Sequence, residues 1–119
     1  MNIAEARIAI VQDDENYLDR VNRFFEEAKE IRTATTLAAG LVLLDELASG
    51  QVQAHLLALD ENLIPDTHDG SDGVRMYDRY LELRLDKTIP VVSISSDAKL
   101  PITQVSSSVA KLLEYIEAM

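Results

Sequence analysis

The chain has 119 residues, no cysteine, and 21 Asp plus Glu against eleven Lys plus Arg, for a formal net charge of −10. So acidic a surface repels phosphate backbones and anionic lipid heads, which sets nucleic-acid and membrane partners aside. The missing thiols exclude disulfides, thiolate metal sites and a cysteine nucleophile, and suit a reducing cytoplasm. At 47% hydrophobic the chain is rich enough to form one folded domain over residues 1–119 rather than a disordered acidic tail. The start MNIAEARIAI lacks the pattern of a signal peptide, and no apolar stretch approaches the ~20 residues of a membrane span.

The first element is the apolar run Arg7-Ile8-Ala9-Ile10-Val11, which ends abruptly in Gln12-Asp13-Asp14-Glu15. Unbroken runs of this kind read as strands buried on both faces of a parallel sheet. Asp13 or Asp14 can cap the next helix, expected from about Asn16 to Ala28 with Leu18, Val21, Phe25 and Ala28 on its apolar face. A β-branched segment from Ile31 to Thr35 predicts a second strand. Thr36 then caps a helix through Leu37, Leu41, Leu44 and Leu47, stopped by Ser49-Gly50, with Gly40 at a close-packing position inside it.

A third strand, His55 to Leu59, again ends on an acid, Asp60. The stretch Pro65-Asp66-Thr67-His68-Asp69-Gly70-Ser71-Asp72-Gly73 is turn chemistry, and a helix is expected from about Val74 to Leu83, with Val74, Tyr77, Tyr80 and Leu81 on one side. Ile89 to Ile94 reads as a fourth strand closing on Ser95-Ser96-Asp97. Ile102 to Val105 can serve as a fifth, and Ser106 to Ser108 then cap a last helix carrying Val109, Leu112, Leu113, Ile116 and Met119. Strands alternating with helices predict a doubly wound α/β fold with a parallel sheet of four to five strands, whose ligand site lies outside the strands' C-terminal ends.

Those ends carry Gln12, Asp13 and Asp14, then Asp60, then Ser95 and Ser96. Carboxylates gathered at one edge repel each other unless a cation lies between them. An all-oxygen set without Cys or a nearby His suits Mg²⁺ rather than zinc. A carboxylate beside Mg²⁺ can attack phosphorus and form an aspartyl phosphate.

Val11 to Asn16, Leu59-Asp60, Asp72-Gly73 and Ile89 to Ser95, in that order and each at a strand end, resemble a response-regulator receiver domain of two-component signalling. The resemblance covers residues from about 7 to 96. It implies a flavodoxin-like sheet, phosphorylation of Asp60 by a histidine kinase or phosphotransfer protein, and a downstream protein partner, with a homodimer as one assembly it allows. It further implies Mg²⁺ held by Asp13, Asp60 and the backbone carbonyl of Asn62, and Ser95 as the switch hydroxyl. The domain would then be a kinase substrate rather than an enzyme, with slow self-dephosphorylation.

Departures from the family pattern stand beside these matches. Gln12 replaces the first acid of the usual pair and should weaken Mg²⁺ binding. The acidic loop after Asp60 is long: Pro65 is five residues past Asp60, and Gly73 eight past Pro65. Lys99-Leu100-Pro101 is similar to the family's Lys-Pro step, which makes Lys99 the expected catalytic cation, yet it stands only four residues past Ser95. A helical crossover needs ~10–12 residues, so the family's fourth helix is expected to be reduced or missing. The aromatic switch residue of the fifth strand has no counterpart.

These departures favour the alternative of a pseudo-receiver, a protein-interaction domain that works without phosphorylation. A haloacid-dehalogenase-like phosphatase would need an acid where Asn62 stands. His55 reads as structural or surface. His68 has no strong claim on a metal, and Asp66, Asp69 and Asp72 read as solvated turn residues because their spacing does not match an EF-hand.

Overall fold

The computed structural model describes residues 1–63, 71–96, 98–105 and 107–119. The segment from Ile64 to Gly70, with Pro65, Asp66, His68 and Asp69, lies outside the described residues, as do Asp97 and Ser106. Five strands, β1 (Arg7–Val11), β2 (Glu30–Ala34), β3 (Leu56–Leu59), β4 (Val91–Ser93) and β5 (Thr103–Gln104), form one sheet in the order β2-β1-β3-β4-β5. Every pairing is parallel. Four α-helices are described: α1 (Glu15–Phe24), α2 (Leu37–Ser49), α3 (Ser71–Glu82) and α4 (Val109–Ala118).

The two-residue periodicity of a strand divides the core between the two faces of the sheet. Ile8 and Ile10 of β1, with Leu56 and Ala58 of β3, pack against Tyr17, Val21 and Phe25 around α1 and against Val109, Leu112 and Ile116 of α4. Ala9 and Val11, with Leu57 and Leu59, face Leu43, Leu44 and Leu47 of α2 and Met76 and Tyr80 of α3. Burial on both faces is the reason β1 and β3 read as continuous apolar runs. β2, on the edge, leaves Arg32 and Thr33 exposed.

Local chemistry sets the helix ends. Asp14 caps α1 through its Oδ1, which accepts from the N–H groups of Asn16 (2.9 Å) and Tyr17 (3.4 Å). The Thr36 hydroxyl accepts from Ala39 N–H at 3.1 Å, and Gly50 closes α2 at φ +83°, a left-handed conformation that favours glycine. α1 ends four residues short of the expected Ala28. Glu26 and Glu27 oppose the helix dipole there, and the chain must turn so that Lys29 N–H reaches the Ala6 carbonyl at 3.0 Å. Phe24 is therefore exposed whereas Phe25 is buried.

α3 begins at Ser71, three residues ahead of expectation, and its inward row is Asp72, Gly73, Met76 and Tyr80. Val74 and Leu81, expected on the apolar side, are exposed. Asp72, expected as a solvated turn residue, is buried in the first helical turn. Gly73 explains this rotation. A Cβ at that position would stand 2.8 Å from the Cβ and 2.9 Å from the Cα of Glu61, so only glycine lets α3 seat against the strand end. Gly40 of α2 packs closely too, since a Cβ there would stand 2.9 Å from the sulfur of the flexible Met76 side chain.

The connection from β4 to β5 spans residues 94–102, and its described residues include no helix. This agrees with the expected loss of the family's fourth helix. The crossover's described residues form bends and irregular chain, and β5 still pairs with β4 through Val92–Thr103 and Ser93–Gln104.

Candidate functional site

The strand order reverses between β1 and β3, and the crevice at such a point is where doubly wound sheets bind ligands. A cavity of about 380 Å³ opens there, lined by Gln12, Asp13, Asp14, Tyr17, Arg20, Asp60, Ile94, Ser95, Ser96 and Ser107. Of the residues expected to form a site, Asp13, Asp60 and Ser95 meet in this cavity. Asn62 does not line it, but its N–H donates to Asp60 Oδ1 at 3.2 Å and shapes the turn that follows β3.

Asp60 is half-buried and closely held. Its Oδ1 also accepts from the Ser95 hydroxyl at 2.7 Å. Burial pushes the Asp60 carboxyl above the ordinary aspartate range. The hydrogen bonds from Ser95 and Asn62 oppose that rise, and the charges of Asp13 and Glu61 add to it. The repulsion between Asp13 and Asp60 is the kind a divalent cation relieves.

Among the described residues no set of three or more His, Asp or Glu side chains converges as a ready metal cage. Magnesium does not require one, since it takes one or two carboxylates and completes its shell with water and phosphate oxygens. The oxygen donors of Asp13 and Asp60 fit that preference. Gln12 brings no charge to the cavity: its Oε1 accepts from the N–H groups of Asp13 (3.0 Å) and Asp14 (3.1 Å). Its amide thus organises the strand-to-helix turn, where the family's acid would add negative charge.

Lys99 lies in the crossover ahead of β5 and is not among the cavity-lining residues. Its backbone N–H donates to Glu61 Oε1 at 2.9 Å. His55 stands at the far end of β3, accepting the Arg7 N–H on Nδ1 at 3.0 Å, a structural role as expected.

Glu61 was not singled out from the sequence, yet it ties the site together. It is 1% exposed. Its carboxylate accepts from the Ser93 hydroxyl (2.6 Å) and from the N–H groups of Lys99 and Leu100 (2.9 and 3.0 Å), while its own N–H donates to Ser95 Oγ at 2.6 Å. One residue therefore connects Asp60, through Ser95, to the crossover that replaces a helix. The available signal was Ser93: a hydroxyl inside a buried strand requires a partner. Tyr17 and Arg20, within the expected first helix and not singled out either, also line the cavity. Burial raises the Tyr17 phenol to about 12, with Arg20 lowering it and Asp60 adding to the rise.

No protein-family model matches the sequence, and no curated protein matches it significantly. Solved structures do resemble it. The N-terminal domain of an uncharacterized Wolinella succinogenes protein superposes with a TM-score of 0.69 at 17% identity, over 95% of this chain and 92% of that one. The signal receiver domain of the Mycobacterium tuberculosis response regulator NarL gives 0.56 at 15% identity, over 96% and 94%. The Brucella abortus response regulator PhyR gives 0.58 at 20% identity, over 98% of this chain and 52% of its own. At these identities the likeness establishes the fold: the chain has the receiver-domain architecture. Among the described residues no helix is long and apolar enough to cross a membrane.

Proposed function

We propose that the chain is an atypical receiver domain whose Asp60 accepts a phosphoryl group from a histidine kinase or phosphotransfer protein in the cytoplasm. The observation that carries this reading is the pairing of Asp60 with the Ser95 hydroxyl at 2.7 Å in a cavity that also gathers Asp13 and Asp14 at the sheet's switch point. Oδ1 of Asp60 accepts both hydrogen bonds, which leaves Oδ2 as the attacking oxygen. The Oδ2–P bond forms as the P–N bond of phosphohistidine, or the P–O bond of acetyl phosphate, breaks, and the leaving group departs with the bonding pair. Asp13 and Asp60, with the Asn62 carbonyl, would hold Mg²⁺, which neutralises phosphoryl charge when bound. Ser95 would donate to a phosphoryl oxygen once its bond to the free carboxylate is exchanged.

The domain is then a phosphoryl acceptor and not a catalyst of turnover, and its output passes to a protein partner. Incubation with acetyl phosphate and Mg²⁺ tests this. Intact mass should gain one phosphoryl group, lost in alkali and absent in Asp60→Asn. The alternative is the pseudo-receiver, favoured by Lys99 lying outside the cavity lining and by Gln12 being occupied with the backbone. A folded wild-type chain that gains no mass at high Mg²⁺ would select it.

A further inference from the structure

A phosphoryl group entering this cavity brings negative oxygens beside Asp13 and Asp60, so binding requires positive charge and hydrogen-bond donors from the protein as well as a metal. Lys99, the expected source of that charge, is in the crossover. Among the described residues that line the cavity, the basic side chain is Arg20. Arg20 lies three residues after Tyr17 on α1, and residues so spaced share a helix face. Tyr17 is 2% exposed and contributes to the cavity wall, and its hydroxyl has no hydrogen-bond partner among the described residues. A buried hydroxyl without a partner is costly in a folded protein. Phenylalanine would fill the same apolar space without that cost, so a buried O–H without a partner on a cavity-lining residue points to an acceptor that arrives with the ligand.

We propose that Tyr17 and Arg20, one turn apart on α1, form the phosphoryl-binding wall of this site, with Arg20 serving as the cation expected of Lys99. The inference rests on the phosphoryl-acceptor reading and assigns its oxyanion contacts. The guanidinium offers paired N–H donors matched to two phosphoryl oxygens. The Tyr17 O–H donates to a third, or to a bridging water. Ser96 and Ser107 line the same cavity and add hydroxyl-bearing residues to it. The transferred group bonds to Asp60 as before; Tyr17 and Arg20 exchange no proton and only stabilise charge.

Phosphorylation of the full chain by acetyl phosphate with Mg²⁺, followed by intact mass, separates the assignments. Arg20→Gln should slow adduct formation about 30-fold, Tyr17→Phe about 5-fold, and Arg20→Lys should restore most of the Arg20→Gln loss. Arg23→Gln, which removes the same charge elsewhere on α1, should match wild type. The Tyr17→Phe chain should melt no earlier than wild type, because the hydroxyl removed bonds to no described group. An undiminished rate in Arg20→Gln, with the loss falling on Lys99→Gln instead, would overturn this proposal and leave the acceptor reading standing. Inorganic phosphate supplies an independent readout. Were the wild type to take no phosphoryl group, yet lose its phosphate-induced tyrosine fluorescence change on Arg20→Gln, the acceptor reading would fall and the anion wall would remain. Were that change also absent from wild type, both would fall.

Discussion

The sheet centre built on β1 and β3 and the crossover that joins β4 to β5 are held in different ways. β1 and β3 are buried on both faces, each covered by helices, and they deliver Asp13 and Asp60 from rigid strand ends. Beyond β4 the sheet tapers to a two-residue strand, and its crossover is fastened to β3 by one buried carboxylate, Glu61. Hydrophobic area stabilises the sheet centre, whereas hydrogen bonds to Glu61 hold the crossover, and beyond it Val105, Val109, Leu112 and Ile116 rejoin the apolar core. The acids of the site are therefore fixed by packing, while the hydroxyl that answers them, Ser95, belongs to the Glu61 network.

Substitutions should separate the two modes. Leu57→Ala opens a cavity between β3 and α2 and should cost about 2–5 kcal/mol in chemical denaturation, the largest effect expected here. Glu61→Ala removes the acceptor for a buried hydroxyl and two N–H groups and should cost about 2–3 kcal/mol. Hydrogen exchange would show the contrast directly, with Lys99 and Leu100 amides losing protection while Ile8 and Ile10 keep theirs. Equal loss in both places would dissolve the distinction. Gly73→Ala pushes α3 from the backbone of residue 61 and should cost about 1–3 kcal/mol.

Two tyrosines sharpen the comparison further. Tyr80 donates its hydroxyl to the Ile89 carbonyl at the entry to β4, so Tyr80→Phe should cost about 1 kcal/mol, whereas Tyr17→Phe should cost less. Burial raises both phenols from 10.0 to about 12. Their neutral forms are favoured by the fold, so this contribution to stability is whole below pH 10.0 and is lost as pH rises through about 12. Absorbance titration should show Tyr17 and Tyr80 ionising only on the alkaline limb where the chain begins to unfold. A Tyr17→Phe, Tyr80→Phe chain that loses only early-titrating absorbance would contradict this.

Much of this was legible in the residues themselves. The apolar runs of β1 and β3, the Thr36 cap and the Gly50 stop all follow from local chemistry that tertiary structure does not override. The shortened crossover followed from counting residues after Ser95. The reading failed where a long-range contact decides. The seating of Gly73 on residue 61 turns α3 and buries Asp72, and nothing local to that helix announces it. Glu61 looked like one more loop acid because its partners, Ser93, Lys99 and Leu100, are distant in sequence. The place of Lys99 ahead of β5 was legible too, since it stands four residues past Ser95.

The central claim is that Asp60 is the acceptor, and chemical trapping tests it at residue resolution. The chain is treated with acetyl phosphate and Mg²⁺, reduced with borohydride, which converts an acyl phosphate to the alcohol, digested and mapped by mass spectrometry. Homoserine at position 60, and at no other aspartate, is the expected result. An unaltered Asp60 in a chain that remains folded, or trapping at Asp13 or Asp14 instead, would contradict it.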